Sequence, residues 1–275
     1  MKKFNYISSA KRTIKIESDS ISSIANQLDK SFTNLCETVI NSKGKFVIMG
    51  VGKSGHIAQK ISATLSSTGT TSIFIHPTEA AHGDIGMINK KDIVLLISNS
   101  GETDEIINII PSLKRHAKKI ASLTGNNKST IAKSSDIKIE LKSQKEACPL
   151  DLAPTSSTTN ALAFGDALAI ALLEAKGFTK SDFASSHPAG KLGRKLITKV
   201  SDLMHKGGSV PKVKPDTVLD DALLEITKKN LGITLVINKK KIVGIFTDGD
   251  LRRCINNKID IHKTQIKEVM TKDFK

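Results

Sequence analysis

Along the chain, short apolar runs alternate with stretches whose apolar residues recur every three or four positions. "KFVIMG" at 45–50, "TSIFIH" at 71–76, "DIVLLIS" at 92–98 and "KIASLTG" at 119–125 have strand length, and "DIKIEL" at 136–141 is a shorter fifth. Between them lie "KSGHIAQKISATLSS", "GETDEIINIIPSLKRHA" and "NKSTIAKSS", all of helical period or length. Apolar strands alternating with helices predict an α/β domain: a doubly wound, five-stranded parallel sheet with helices on both faces. Ahead of it, Ile21, Ile24, Leu28, Phe32, Leu35 and Val39 step by three and four, which predicts a single amphipathic helix stopping at Gly44. Behind it, "STTNALAFGDALAIALLEAKG" predicts a long helix whose dense small apolar residues suit burial on more than one side, another subunit included.

The pattern changes after about residue 195. Pro211 and Pro215 bracket a short polar linker, "TVLDDALLEITKKN" has helical period, "ITLVIN" and "KIVGIFT" are strands, and "DGDLRRCI" opens a second helix. "VSDLMHKG" at 200–207 is echoed by "IKEVMTKD" at 266–273, which predicts that a second, incomplete copy of this small α+β module begins there. The expected division is an N-terminal helical segment (1–43), the α/β domain (44–195), a linker (196–211), the module (212–265) and the start of its second copy (266–275).

Composition narrows the function classes. A chain of 275 residues with 39% apolar and 4% aromatic residues suits a core of Ile, Leu, Val and Ala. No apolar run reaches membrane-spanning length, and the N-terminus lacks the apolar stretch of a secretory signal, so neither a membrane partner nor export is expected. Cys36, Cys148 and Cys254 are far apart and have no metal-ligand spacing; they read as reduced thiols of a cytoplasmic protein. The net charge of +15 invites a nucleic-acid partner, but only five of the 42 basic residues are arginine, and there is one Tyr and no Trp for stacking on bases. Solvated lysines account for the charge without nucleic acid, and the same charge favours an anionic substrate.

In a parallel sheet every strand delivers its following loop to one edge, where ligands bind. Three such loops here suit an anion. "GVGKSGH" at 50–56 offers Gly50, Gly52 and Gly55 for close backbone approach, a helix N-terminus, Lys53 and Ser54. "SNSGETDE" brings Ser98, Ser100 and Thr103 to the next helix start, and "PTSSTTN" brings Ser156, Ser157 and Thr158. A single hydroxyl-rich helix start reads as an N-cap; three at one edge read as a phosphate site. The first loop fits G-x-G-x-x-G, yet the second strand ends in His76 and Pro77 where a dinucleotide site needs an acidic residue for the ribose. A P-loop needs glycine at position 47, which is valine. What remains is a phosphate cradle without a nucleotide, and the dehydrogenase reading falls.

"GKSGH", "HPTEAAHGD", "ISNSGETDE", "KEACPLDLAPTSST" and "SHPAGKLGRK" together resemble the sugar isomerase (SIS) domain of D-arabinose 5-phosphate isomerases. "GIFTDGDLRR" resembles their cystathionine-beta-synthase (CBS) module, and the likeness runs from about residue 17 to the end. The resemblance implies interconversion of D-ribulose 5-phosphate and D-arabinose 5-phosphate, with the product feeding the octulosonate sugar (KDO) of lipopolysaccharide or capsule. It also implies a homotetramer. A SIS-domain regulator that senses sugar phosphates without turnover is the rival, but such regulators carry a helix-turn-helix, for which a single N-terminal helix is too short.

Aldose–ketose isomerisation needs a base, a proton donor and stabilisation of an enediolate, and no metal or redox cofactor. Within the family-like strings, Glu146 is read as the base, with Glu105 as the alternative. Lys53 is read as partner to the phosphate or enediolate. The resemblance gives His187 ring opening or proton donation, entering from a neighbouring subunit. It also gives substrate contacts to Gly69, Thr70 and His82, places the stretches 108–117 and 142–144 near substrate, and makes His76 a position where a zinc ion that the reaction does not require can sit. In "GIFTDGD", Thr247 and Asp250 match positions that hold adenosine ribose and phosphate in paired CBS modules.

Overall fold

The structure, a computed structural model, describes residues 4–187 and 198–274. The expected domain limit at 195, the start of the linker and most of "SHPAGKLGRK" therefore lie outside the described residues. The chain divides into two compact units, meeting in sequence between Ile197 and Thr198.

The first unit opens with two helices where one was expected, α1 (Tyr6–Ile24) and α2 (Lys30–Ile40). A short 3-10 turn over Ala25–Gln27 ends α1, Leu28 is extended, and Asp29 caps α2 by accepting from the Ser31 N–H at 2.7 Å and the Ser31 hydroxyl at 2.5 Å. The three-and-four spacing of Ile24, Leu28 and Phe32 runs straight through this break, so periodicity alone cannot reveal it; the capping chemistry of Asp29 does.

The five expected strands all form: β1 (Phe46–Gly50), β2 (Ser72–Phe74), β3 (Ile93–Ile97), β4 (Lys119–Thr124) and β5 (Ile137–Glu140). They pair in parallel in the order β2-β1-β3-β4-β5. Around them run α3 (Gly52–Ser67), α4 (Pro77–Ala81), α5 (Asp104–His116), α6 (Thr130–Lys133), α7 (Ser156–Ala175) and α8 (Lys180–Ser186). Every residue of β1 and β3 is buried. Successive side chains go to opposite faces: Phe46 and Ile48 join Leu35 of α2, Ile61 of α3 and Phe164 of α7, whereas Val47 and Met49 join Ile106 and Leu113 of α5. Each such side chain, fully buried, contributes about 1.5–3 kcal/mol. On the first face α3 and α7 cross closely at Gly165, where a Cβ would overlap the Ile61 side chain.

The second unit holds β6 (Lys212–Val213), β7 (Ile233–Asn238) and β8 (Lys241–Thr247), with helices over Leu219–Lys229 and Asp248–Asn256. β6, too short to show as a run in the sequence, pairs parallel to β7, and β7 with β8 antiparallel. The segment from 266 packs onto this same unit. Ile266 is fully buried beside Leu219, Val236 and Phe246, and Thr271 exchanges backbone hydrogen bonds of 2.9 and 2.8 Å with Ile245. The sequence echo is also a local structural one. Val200–Leu203 and Ile266–Val269 are both four-residue helices, each ended by a methionine in extended conformation.

Candidate active site

The first loop is shaped by its glycines. β1 turns into α3 so tightly that a Cβ on Gly50 would stand 2.9 Å from the Ser54 carbonyl, and one on Gly55 would stand 2.8 Å from the Gly50 oxygen. Gly52 takes φ +56°, open to glycine and strained for other residues. The G-x-G-x-x-G spacing is thus accounted for by strand-to-helix packing, with no nucleotide needed. At this turn Ser54 faces a cavity of about 200 Å³ at the carboxyl edge of the sheet. Asn99 after β3, Thr124 at the end of β4, Glu146 and Asp151 from the β5–α7 connection, and Ser157 and Thr158 of α7 complete its polar lining. Ile57, Ile97, Leu123 and Leu141 make the rest apolar. A more open recess of about 480 Å³ shares Asn99, Glu146 and Asp151 and adds Ser100, Lys142 and Lys145.

Two carboxylates, Glu146 and Asp151, are common to both, and Glu146 is the one held by the start of α7. Its Oε2 accepts from the Thr155 N–H and the Thr155 hydroxyl, each at 2.7 Å. Its Oε1 accepts a longer bond, 3.3 Å, from the Ser157 N–H. Thr155 Oγ1 in turn accepts from the Ala147 N–H at 2.8 Å, which closes a ring between the loop and the start of α7. Burial pushes the Glu146 carboxyl up, but the hydrogen bonds from Ser157 and Thr155 together outweigh it and hold the group below the usual carboxylate range. Oε2 is thus anchored by two short bonds and Oε1 held by a longer one.

The second hydroxyl loop is partly spent on its own turn. Ser98 Oγ accepts from the Gly101 N–H at 3.1 Å and lies 2.8 Å from Thr103 Oγ1, while Ser100 accepts from the Glu102 N–H at 3.2 Å. Of the three, Ser100 lines the open recess. In the third loop Ser157 and Thr158 line the cavity, but Ser156 is fully buried outside its lining, and its hydroxyl has no partner among the described residues.

The remaining sequence-predicted residues are dispersed in the single chain. Lys53, Glu105 and His82 are exposed and outside both linings. His76 caps α4, its Nδ1 accepting from the Thr78 N–H at 3.3 Å, and no cluster of three His, Cys, Asp or Glu side chains suited to a metal occurs among the described residues. His187 stacks on Phe183 with ring centroids 4.1 Å apart, and its Nδ1 meets the Phe183 carbonyl at 3.0 Å. Gly69 and Thr70 precede β2 and so sit at the amino edge of the sheet, opposite the cavity. There the Lys176 ammonium donates to Thr70 Oγ1 at 2.8 Å and to the Gly69 carbonyl at 3.0 Å. Within 108–117, Ile109, Ile110 and Leu113 are core; within 142–144, all three residues line the open recess. Asn99 and Asp151 were not singled out from the sequence. Asn99 lies two residues after β3, where a parallel strand hands its chain to the ligand edge, and that was its readable signal.

In the second unit Thr247 and Asp250 come together, as a closed helix cap. Asp250 Oδ2 accepts from the Thr247 N–H and hydroxyl at 2.8 Å each, and Oδ1 accepts from the Thr271 hydroxyl at 2.7 Å and from Arg253. Burial raises the Asp250 carboxyl, and the bonds from Thr271 and Thr247 with the Arg253 charge more than reverse that. With 3% exposure and four internal donors, this carboxylate is not open to a ribose in the way the sequence suggested.

Comparison with known proteins places these units. The SIS domain pattern matches residues 39–171 and the CBS domain pattern residues 200–257. The chain is 52% identical over 268 residues to arabinose 5-phosphate isomerase KdsD of Pseudomonas aeruginosa, covering 97% of this chain and 82% of that protein. It is 50% identical over 269 residues to KdsD of Escherichia coli K12, covering 98% and 82%. A solved protein of E. coli CFT073 in complex with arabinose 5-phosphate superposes with a TM-score of 0.66 at 44% identity, covering 67% of this chain and all of that one.

Proposed function

The chain belongs to the arabinose 5-phosphate isomerase family, and from that premise we propose how its cavity does this chemistry. The enzyme interconverts D-ribulose 5-phosphate and D-arabinose 5-phosphate through an enediolate. The observation that carries the mechanism is the asymmetry of Glu146, whose Oε2 takes two short bonds from Thr155 whereas Oε1 takes a longer one from the Ser157 N–H, on a residue that lines the cavity. Oε1 takes a proton from C1 of the ketose while a donor protonates the C2 oxygen. The proton is returned at C2 as the C1 hydroxyl gives up its own and becomes the aldehyde. Glu105 is the alternative base. Lys53 at the start of α3 steadies the phosphate or the enediolate, and the helix N-terminus beside it favours the same charge. Ser54, Asn99, Ser100 and Thr158 supply polar contacts along the sugar.

His187 opens the ring or donates the proton, reaching the cavity of a neighbouring subunit in a homotetramer; its place outside this chain's own cavity supports that reading. The scheme requires no metal, and a zinc ion at His76 would be incidental to it. The product supplies KDO for lipopolysaccharide or capsule in the cytoplasm. The test is a substrate panel followed by proton NMR. Arabinose 5-phosphate should appear from ribulose 5-phosphate, whereas full turnover of glucose 6-phosphate with no arabinose 5-phosphate would refute the assignment.

A further inference from the structure

The loop that carries Glu146 is fixed at its far end by Thr155 and Ser157, and at its near end by the N-terminal helices. Gln27, in the 3-10 turn that ends α1, reaches across 115 positions of sequence to Lys142. Its Oε1 accepts from the Lys142 N–H at 2.7 Å and its Nε2 donates to the Lys142 carbonyl at 3.2 Å. That is the two-point pairing a neighbouring strand would make, and it fixes both the place and the direction of the peptide. One residue on, the Ser143 hydroxyl accepts from Asn160 Nδ2 at 3.4 Å; the same amide donates to Ser20 of α1 at 2.8 Å. Asn160 is itself buried, at 1% exposure. Among the described residues no hydrogen bond ties Gln144 or Lys145, so the span from Ser143 to Glu146 hangs between these two anchors.

We propose that Gln27 is a positioning residue for the isomerisation, acting through the loop that presents Glu146 and touching no reacting atom itself. The proposal rests on Glu146 as the base. A base displaced by about 1 Å can lose about 10²-fold in rate, and a single carboxamide holding both backbone groups of Lys142 is placed to prevent such a shift. The charged groups sharing the two recesses with Glu146 are Asp151, Lys142 and Lys145, with Glu17 on α1 against Thr159 of α7. Lys142, Lys145 and Asp151 ride on the same connection as Glu146, so loosening it should move them together with the carboxylate and weaken its donors from Thr155 and Ser157.

The experiment compares Gln27→Ala and Gln27→Glu in the full-length enzyme, each alone and with Glu146→Gln. Gln27→Ala should lower kcat about tenfold or more with KM within about twofold. It should move the acid limb of kcat/KM to higher pH, because a carboxylate that loses donors returns toward its ordinary value. Gln27→Glu keeps the shorter of the two bonds as an acceptor and should retain more kcat than Gln27→Ala. With Glu146→Gln present, Gln27→Ala should cost nothing further. Unchanged kcat and limb, a change in KM alone, or the same fractional loss with Glu146→Gln would each overturn the proposal. Full turnover by Glu146→Gln alone would sink the base assignment instead, and the proposal with it.

Discussion

Thr155 gives Glu146 two hydrogen bonds at once: its backbone N–H and its hydroxyl both reach Oε2 at 2.7 Å. This pairing ties the carboxylate to the start of α7. Together with Ser157 it holds the carboxyl below its ordinary range, and it leaves Oε1 with the longer bond from the Ser157 N–H.

Thr155→Val preserves the branched shape and removes one of these donors together with the acceptor for the Ala147 N–H. The Glu146 carboxyl is held low in the folded protein, so its stabilising contribution is present above the unfolded value of about 4.3 and is lost as pH falls through the lower folded value. Thr155→Val should therefore raise the acid limb of kcat/KM and make the protein less resistant to acid. A pH–rate profile with parallel acid melts reads both. An unmoved acid limb would contradict the link between Thr155 and the base.

Glu146→Gln should lower turnover by about 10² to 10⁴ and leave binding of the sugar phosphate nearly intact. Calorimetric binding alongside single-turnover kinetics separates the two effects. Glu105→Gln, which alters an exposed side chain outside the cavity, should keep most of the rate. Full activity in Glu146→Gln with none in Glu105→Gln would exchange their roles.

Asp250→Ala should destabilise the second unit by about 1–3 kcal/mol, because the Thr247 N–H and hydroxyl lose their acceptor. It should leave the response to AMP or ATP in calorimetric titration unchanged, since the carboxylate is already filled by Thr247, Thr271 and Arg253. Nucleotide binding that disappears with Asp250→Ala while the fold survives would reinstate the ribose contact.

The sheet was legible because β1 and β3 are apolar runs buried on both faces, β4 is nearly so, and all three lead into recognisable helix starts. The break at Leu28 and Asp29 was hidden by apolar spacing that continues across it. β6 was hidden by having only two residues. Glu146 stands out in the sequence only through the family-like string around it, whereas its tether to Thr155 depends on how a loop folds back on the next helix, which no periodicity encodes. The position of Gly69 and Thr70 was readable in principle: residues that precede a parallel strand lie at the edge opposite those that follow it. Their place beside Lys176, away from the cavity, follows from that rule.

The central claim is a proton transfer between C1 and C2 of a pentose 5-phosphate by a cavity base. Conversion of ribulose 5-phosphate by the purified protein in D₂O, followed by NMR, tests it most directly. The account predicts arabinose 5-phosphate carrying deuterium at C2, with Glu146→Gln forming it far more slowly. Absence of arabinose 5-phosphate, or its undiminished formation by Glu146→Gln, would contradict it.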